Sequence, residues 1–150
     1  MNKSERYEHI YQQLNDLFKK TEDLDARMAT VSAILHHKLP KLLWTGFYSL
    51  KAGELLVKTY QGPLACQVLK KNTGVCWTAI NRQKTNIVPD VLQFEGHIAC
   101  DPRSKSEIVV PVRDKTGKIT GVLDLDCKVP DGFDETDQEY LEKIVNLLIS

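Results

Sequence analysis

The sequence predicts an α+β fold, a central antiparallel β-sheet flanked by N- and C-terminal helices, and three observations predict it. Apolar residues recur at helical spacing ahead of Pro40. The middle of the chain carries β-rich runs joined by short turns, and helical spacing returns at the end.

Tyr7, Ile10, Tyr11, Leu14, Leu17 and Phe18 mark the first helix. After a break at Thr21, Leu24, Met28, Val31, Ile34 and Leu35 mark the second, which Pro40 ends. Leu42 to Leu50 reads as a strand, Lys51-Ala52-Gly53-Glu54 as a turn, and Leu55 to Tyr60 as the returning strand of a hairpin. A short helix is expected from Gly74 to Arg82 and a strand from Asn86 to Val88. The segment from Pro89 to Lys105 is a long connection of the kind that often carries function. Glu107 to Arg113 and Lys118 to Asp126 form a second hairpin about Asp114-Lys115-Thr116-Gly117. Tyr140, Leu141, Ile144, Val145, Leu147 and Leu148 give the terminal helix.

With 150 residues, 42% of them hydrophobic and 27% charged, the chain is expected to form one domain, residues 1–150, with a sizeable core. Twenty basic and twenty acidic side chains cancel. No net field therefore favours nucleic acid or an anionic membrane, and a charged ligand has to be recognised by a few local groups. The segment 1–18 lacks the apolar run of a signal peptide, and no stretch is long enough to span a bilayer. A cytoplasmic protein is expected, with its four cysteines reduced at rest, so that any disulfide is catalytic rather than structural.

Two features point to chemistry. Asp124 and Asp126 stand two apart on one strand and share a face with Val122, which predicts a polar pocket rather than a plain apolar core. Cys100 lies in a polar loop beside His97 and Asp101, with Cys66 and Cys76 upstream, the layout of a thiol redox enzyme with one nucleophile and two candidates to resolve it. No cysteines are paired as Cys-x-x-Cys, which disfavours a zinc site, and Cys127 reads as a small buried hydrophobe. Glu107 fits either a surface charge at a strand start or a site carboxyl, and Trp44 reads as core. His97 either lowers the thiolate pKa or only shapes its loop, while His9, His36 and His37 read as solvated helix positions.

Trp44-Thr45-Gly46-Phe47-Tyr48, Gln61-Gly62-Pro63, Gly74-Val75-Cys76, Gly96-His97-Ile98-Ala99-Cys100-Asp101 and Ser106-Glu107-Ile108-Val109-Val110-Pro111 resemble, in order, the free methionine-(R)-sulfoxide reductases, enzymes built on a GAF domain. The likeness runs from about Trp44 to Cys127 and the flanking helices fit it. Two residues depart from the pattern: Trp77 follows Cys76 where glycine is usual, and Glu95 precedes Gly96 where proline is usual.

The resemblance implies one GAF domain that reduces free L-methionine-(R)-S-oxide. It makes Cys100 the attacking thiol, with Cys66, ahead of Cys76, as the resolving partner. Glu107 and Asp126 are placed at the sulfoxide oxygen, where acid assistance is needed because oxide cannot leave at neutral pH. Trp44 becomes the apolar wall for the substrate methyl group, which leaves Asp124 to pair with the substrate ammonium. Backbone N–H groups of Ile98, Ala99 and Cys100 could then hold the carboxylate. The implied reductant is thioredoxin and the implied assembly a homodimer. No metal or organic cofactor is expected, since a thiol cycle carries the electrons itself. The rival readings are a small-ligand-binding GAF regulatory module with redox-sensing cysteines, and a structural or dimerising protein supported only by the amphipathic end helices.

Overall fold

The computed structural model describes residues 1–96 and 101–150. Four α-helices, α1 (Lys3–Leu17), α2 (Leu24–Lys38), α3 (Gly74–Arg82) and α4 (Glu135–Leu147), accompany six strands. The strands are β1 (Leu42–Lys51), β2 (Glu54–Gln61), β3 (Val68–Leu69), β4 (Asn86–Val88), β5 (Ser106–Arg113) and β6 (Ile119–Cys127). They form one sheet in the order β3-β2-β1-β6-β5-β4, with every neighbouring pair antiparallel. The expected α+β class is therefore observed, and both hairpins form where the sequence places them.

Alternation along the central strands divides the core between the two faces of this sheet. Ile108, Val110 and Val112 of β5, with Leu123 and Leu125 of β6, pack under α1, α2 and α4 beside Tyr7, Leu14, Val31, Leu35, Leu141 and Ile144. The intervening positions, Val109 and Val122, join Trp44, Tyr48, Val75, Trp77 and Ala79 on the opposite face, which α3 covers. The helices thus cover both faces, three on one and α3 on the other.

The helix starts follow from capping chemistry. Asn2 and Asp23 accept hydrogen bonds from the backbone N–H groups of Glu5 and Ala26. Asp134 and Asp137 form a reciprocal capping box at α4, and Tyr7 Oη donates to Asp137 Oδ1 at 2.5 Å, fastening α1 to α4.

Three details differ from the sequence reading. β3 is an added two-residue edge strand, paired to β2 through Leu55 with Leu69 and Leu56 with Val68. Such a strand is too short to show alternation. His36 is half-buried rather than solvated, its Nδ1 lying 3.0 Å from Thr45 Oγ1, a bond that only the docking of α2 on β1 creates. Trp77, the departure from the family pattern after Cys76, is buried and donates from Nε1 to the Leu69 carbonyl at 3.2 Å, tying α3 to β3.

Candidate active site

The strand register assembles the site. Asp126 stands opposite Glu107 on one side and Trp44 on the other, while Asp124 stands opposite Val109 and Gly46. The period-two geometry of β6 points Asp124 and Asp126 to the α3 face with Val122, as their spacing predicts. There a pocket of about 630 Å³, counted with its open mouth, is lined by Trp44, Cys76, Glu107, Asp124 and Asp126 together with Tyr48, Pro63, Leu64, Asp101 and Ser104.

Glycine makes room for the aromatic wall. A Cβ on Gly46 would stand 2.3 Å from Tyr60 Cβ and 2.8 Å from the Trp44 ring. Its absence lets Trp44 stack between Tyr60, at 5.2 Å between ring centres, and Tyr48, at 5.6 Å. The indole is 5% exposed, and its Nε1 has no partner among the described residues.

The electrostatics are those of crowded, buried acids. Glu107 and Asp124 are each 5% exposed, and their carboxyl oxygens lie with the Cys76 sulfur inside a span of 4.8 Å. Burial, then the charge of Asp124 and Asp126, pushes the Glu107 carboxyl well above its ordinary range. Asp126 is likewise pushed well up by burial and by Asp124, although Ser104 Oγ donates to its Oδ1 at 3.2 Å. Burial raises Asp124 as well, but only to about 6, because the neighbouring Glu107 and Cys76 groups favour its charged form. The arrangement therefore favours protons on Glu107 and Asp126 beside the more readily ionised Asp124. Two retained protons next to one negative charge can serve a reacting oxygen and a cationic ligand group at once. One oxygen of Asp124, Oδ1, has no hydrogen-bond partner among the described residues, an expensive state for a buried carboxylate without a ligand.

The cysteines fall into different environments. Cys76, on the first turn of α3, is buried, and burial with the charge of Asp124 raises its thiol well above the usual value. Cys66 is half-buried just beyond Pro63, Leu64 and Ala65, which line the pocket mouth. Cys127 is a buried free thiol on the helix face of β6, its Sγ 3.4 Å from the Lys41 carbonyl, in keeping with a packing role. His97, Ile98, Ala99 and Cys100 lie outside the described residues, although Asp101, the next residue, lines the pocket.

Sequence reasoning missed Tyr48 and Ser104. Tyr48 shares the face of Trp44 at spacing four on β1, a signal indistinguishable from core, and Ser104 meets Asp126 only through the return of the long connection. Asp101, singled out only for its place beside Cys100, is held by Arg103 through hydrogen bonds that lower its carboxyl to about 2, so it stays charged at the pocket rim.

Residues 21–148 match the GAF domain family. The chain is 39% identical to the free methionine-R-sulfoxide reductase of Saccharomyces cerevisiae over 99% of its own length and 86% of the relative's. A structure of the reduced form of fRMsr of Staphylococcus aureus superposes with a TM-score of 0.90 at 42% identity, covering 95% of this chain and 92% of that one. The free methionine-R-sulfoxide reductase of Neisseria meningitidis, solved in complex with its substrate, gives a TM-score of 0.93 at 35% identity, covering 99% and 89%. Identity at this level over nearly the whole length, together with the same fold, shows that the chain belongs to the GAF-domain family and, within it, to the free methionine-R-sulfoxide reductases.

Proposed function

We propose that this chain reduces free L-methionine-(R)-S-oxide to L-methionine in the cytoplasm, acting as a single GAF domain over residues 1–150 and drawing electrons from thioredoxin. The observation that carries this reading is the buried trio of Glu107, Asp124 and Asp126 on one wall of the pocket, beside the stacked indole of Trp44, where burial favours protons on Glu107 and Asp126.

In this scheme the Cys100 thiolate attacks the sulfoxide sulfur while Glu107 and Asp126 donate to the oxygen, so the oxygen never carries a full charge. The sulfur–oxygen bond breaks as water forms, leaving Cys100 bonded to the substrate sulfur as a sulfonium. That water attacks the Cys100 sulfur, breaking the S–S bond so that methionine leaves, Cys100 becomes a sulfenic acid and one proton returns to the acids. The Cys66 thiol then attacks that sulfur, water departs, and a Cys66–Cys100 disulfide forms, which a protein dithiol reopens. Each turn therefore converts one sulfoxide and two thiols into one sulfide, one disulfide and one water. The environments favour Cys66 over Cys76 as the resolving thiol. Cys66 is half-buried at the pocket mouth, whereas Cys76 is enclosed among acids that disfavour its thiolate.

Selectivity for the free amino acid follows from the two charges the pocket has to match. Asp124 pairs with the ammonium, and backbone N–H groups of Ile98 and Ala99 receive the carboxylate, helped by the first turn of α3, whose start at Thr73 has no side-chain cap. Trp44 packs on the methyl group. The R and S epimers of the free sulfoxide and N-acetylmethionine sulfoxide, each supplied with thioredoxin, thioredoxin reductase and NADPH, test the scheme. Turnover of the free R epimer alone is expected. Turnover of N-acetylmethionine sulfoxide would move the protein out of this reading, and inactivity toward every sulfoxide would favour the regulatory GAF module.

A further inference from the structure

We infer that Cys76, Glu107 and Asp124 form a binding site for a thiophilic divalent cation of the zinc type, and that the cation inhibits the enzyme by occupying the polar end of its pocket. Three observations support it. The Cys76 sulfur and one oxygen from each carboxylate lie within 4.8 Å of one another, near enough for side-chain rotation to bring all three onto one tetrahedral ion. Each comes from a different rigid element, Cys76 from α3, Glu107 from β5 and Asp124 from β6, so the set is held without a mobile loop. Asp124, 5% exposed and lining the pocket, also carries there a buried oxygen with no hydrogen-bond partner among the described residues.

One thiolate and two carboxylates suit a borderline-soft ion better than Mg²⁺ or Ca²⁺, which take oxygen alone. Three protein ligands leave a fourth position for water on the pocket side. Binding exchanges the Cys76 and Glu107 protons, both released to solvent, for the cation, and it ties up Glu107 and Asp124. Those are the groups proposed above to donate to the sulfoxide oxygen and to hold the ammonium, so the inhibitory half of the inference rests on that reading. The binding half does not.

Cadmium reports the site directly through its sulfur-to-metal ultraviolet absorption. The protein to titrate is the reduced Cys66→Ser/Cys100→Ser double variant, in which the thiols outside the cluster are removed apart from buried Cys127. One Cd²⁺ per chain is expected to bind with the absorption band. Adding Cys76→Ala is expected to abolish the band, and Glu107→Gln or Asp124→Asn, which leave the sulfur in place, to weaken affinity at least about tenfold. Absence of the band in the double variant would overturn the inference, as would a band that survives Cys76→Ala. In the wild-type enzyme, Zn²⁺ is expected to raise the KM for the sulfoxide without lowering kcat, reversibly on chelation. Cadmium binding in a chain that reduces no sulfoxide would overturn the catalytic reading and leave the cation site standing.

Discussion

At the residue scale the decisive feature is that burial favours protons on Glu107 and Asp126, whereas Asp124 is raised only to about 6. Removing the acid from Glu107 as Glu107→Gln is expected to slow the chemical step by about 10²–10⁴-fold in single-turnover measurements. Asp124 leads to a different expectation. Its carboxylate attracts the ammonium only when ionised, so kcat/KM should fall as the pH drops through about 6 and hold above it, with KM carrying the change. In Asp124→Asn that acid limb should vanish from the pH profile and KM should be high throughout. An unchanged acid limb in the variant would assign the titration to another group. The spacing of Asp124 and Asp126 made this wall legible in the sequence, because strand alternation alone dictates a shared face. Neither the order in which the acids ionise nor the Ser104 bond to Asp126 was legible, since both depend on which strands and loops pack together.

At the element scale, the long periodic helices and the two hairpins were readable because their patterns persist over many residues. β3 and the His36–Thr45 bond were not, being products of tertiary docking. Arg27 shows how the elements are joined. Only 4% exposed, it donates to the carbonyls of Thr21 and Phe18 at 2.9 and 2.8 Å and to those of Leu147, Leu148 and Ser150 at 2.9 to 3.2 Å. The planar guanidinium thus links the α1–α2 turn to the end of α4, a span that an ammonium cannot reproduce. Arg27→Lys is expected to lose about 2–4 kcal/mol of unfolding free energy in denaturant titration, since several buried acceptors go unmatched. A loss within about 0.5 kcal/mol would show that water replaces the guanidinium there.

At the scale of the whole molecule, the sheet divides labour between its faces. Beneath α1, α2 and α4 the strands present mainly packed apolar residues and Cys127, with buried Thr45 and Ser106 among them, while the face toward α3 carries the acids and the aromatic wall. Stability comes chiefly from the first face, and the second costs some of it. Burial raises the folded pKa of Asp124 from 3.8 to about 6, so the folded state binds the proton more tightly than the unfolded chain. The stability tied to that proton is complete below about 3.8 and is lost as the pH rises through about 6. Asp124→Asn is therefore expected to stabilise the ligand-free protein at pH 7 by on the order of 1–3 kcal/mol while impairing substrate binding, a trade common at functional sites.

The most direct test of the account is a single turnover by the fully reduced protein with free methionine-(R)-sulfoxide and no recycling reductant, followed by thiol trapping and peptide mass mapping. The account predicts one methionine per chain, a dominant Cys66–Cys100 disulfide, free thiols at Cys76 and Cys127, and no methionine from Cys100→Ser. Methionine formed at the normal rate by Cys100→Ser, or oxidised protein with no bridge to Cys100, would contradict it.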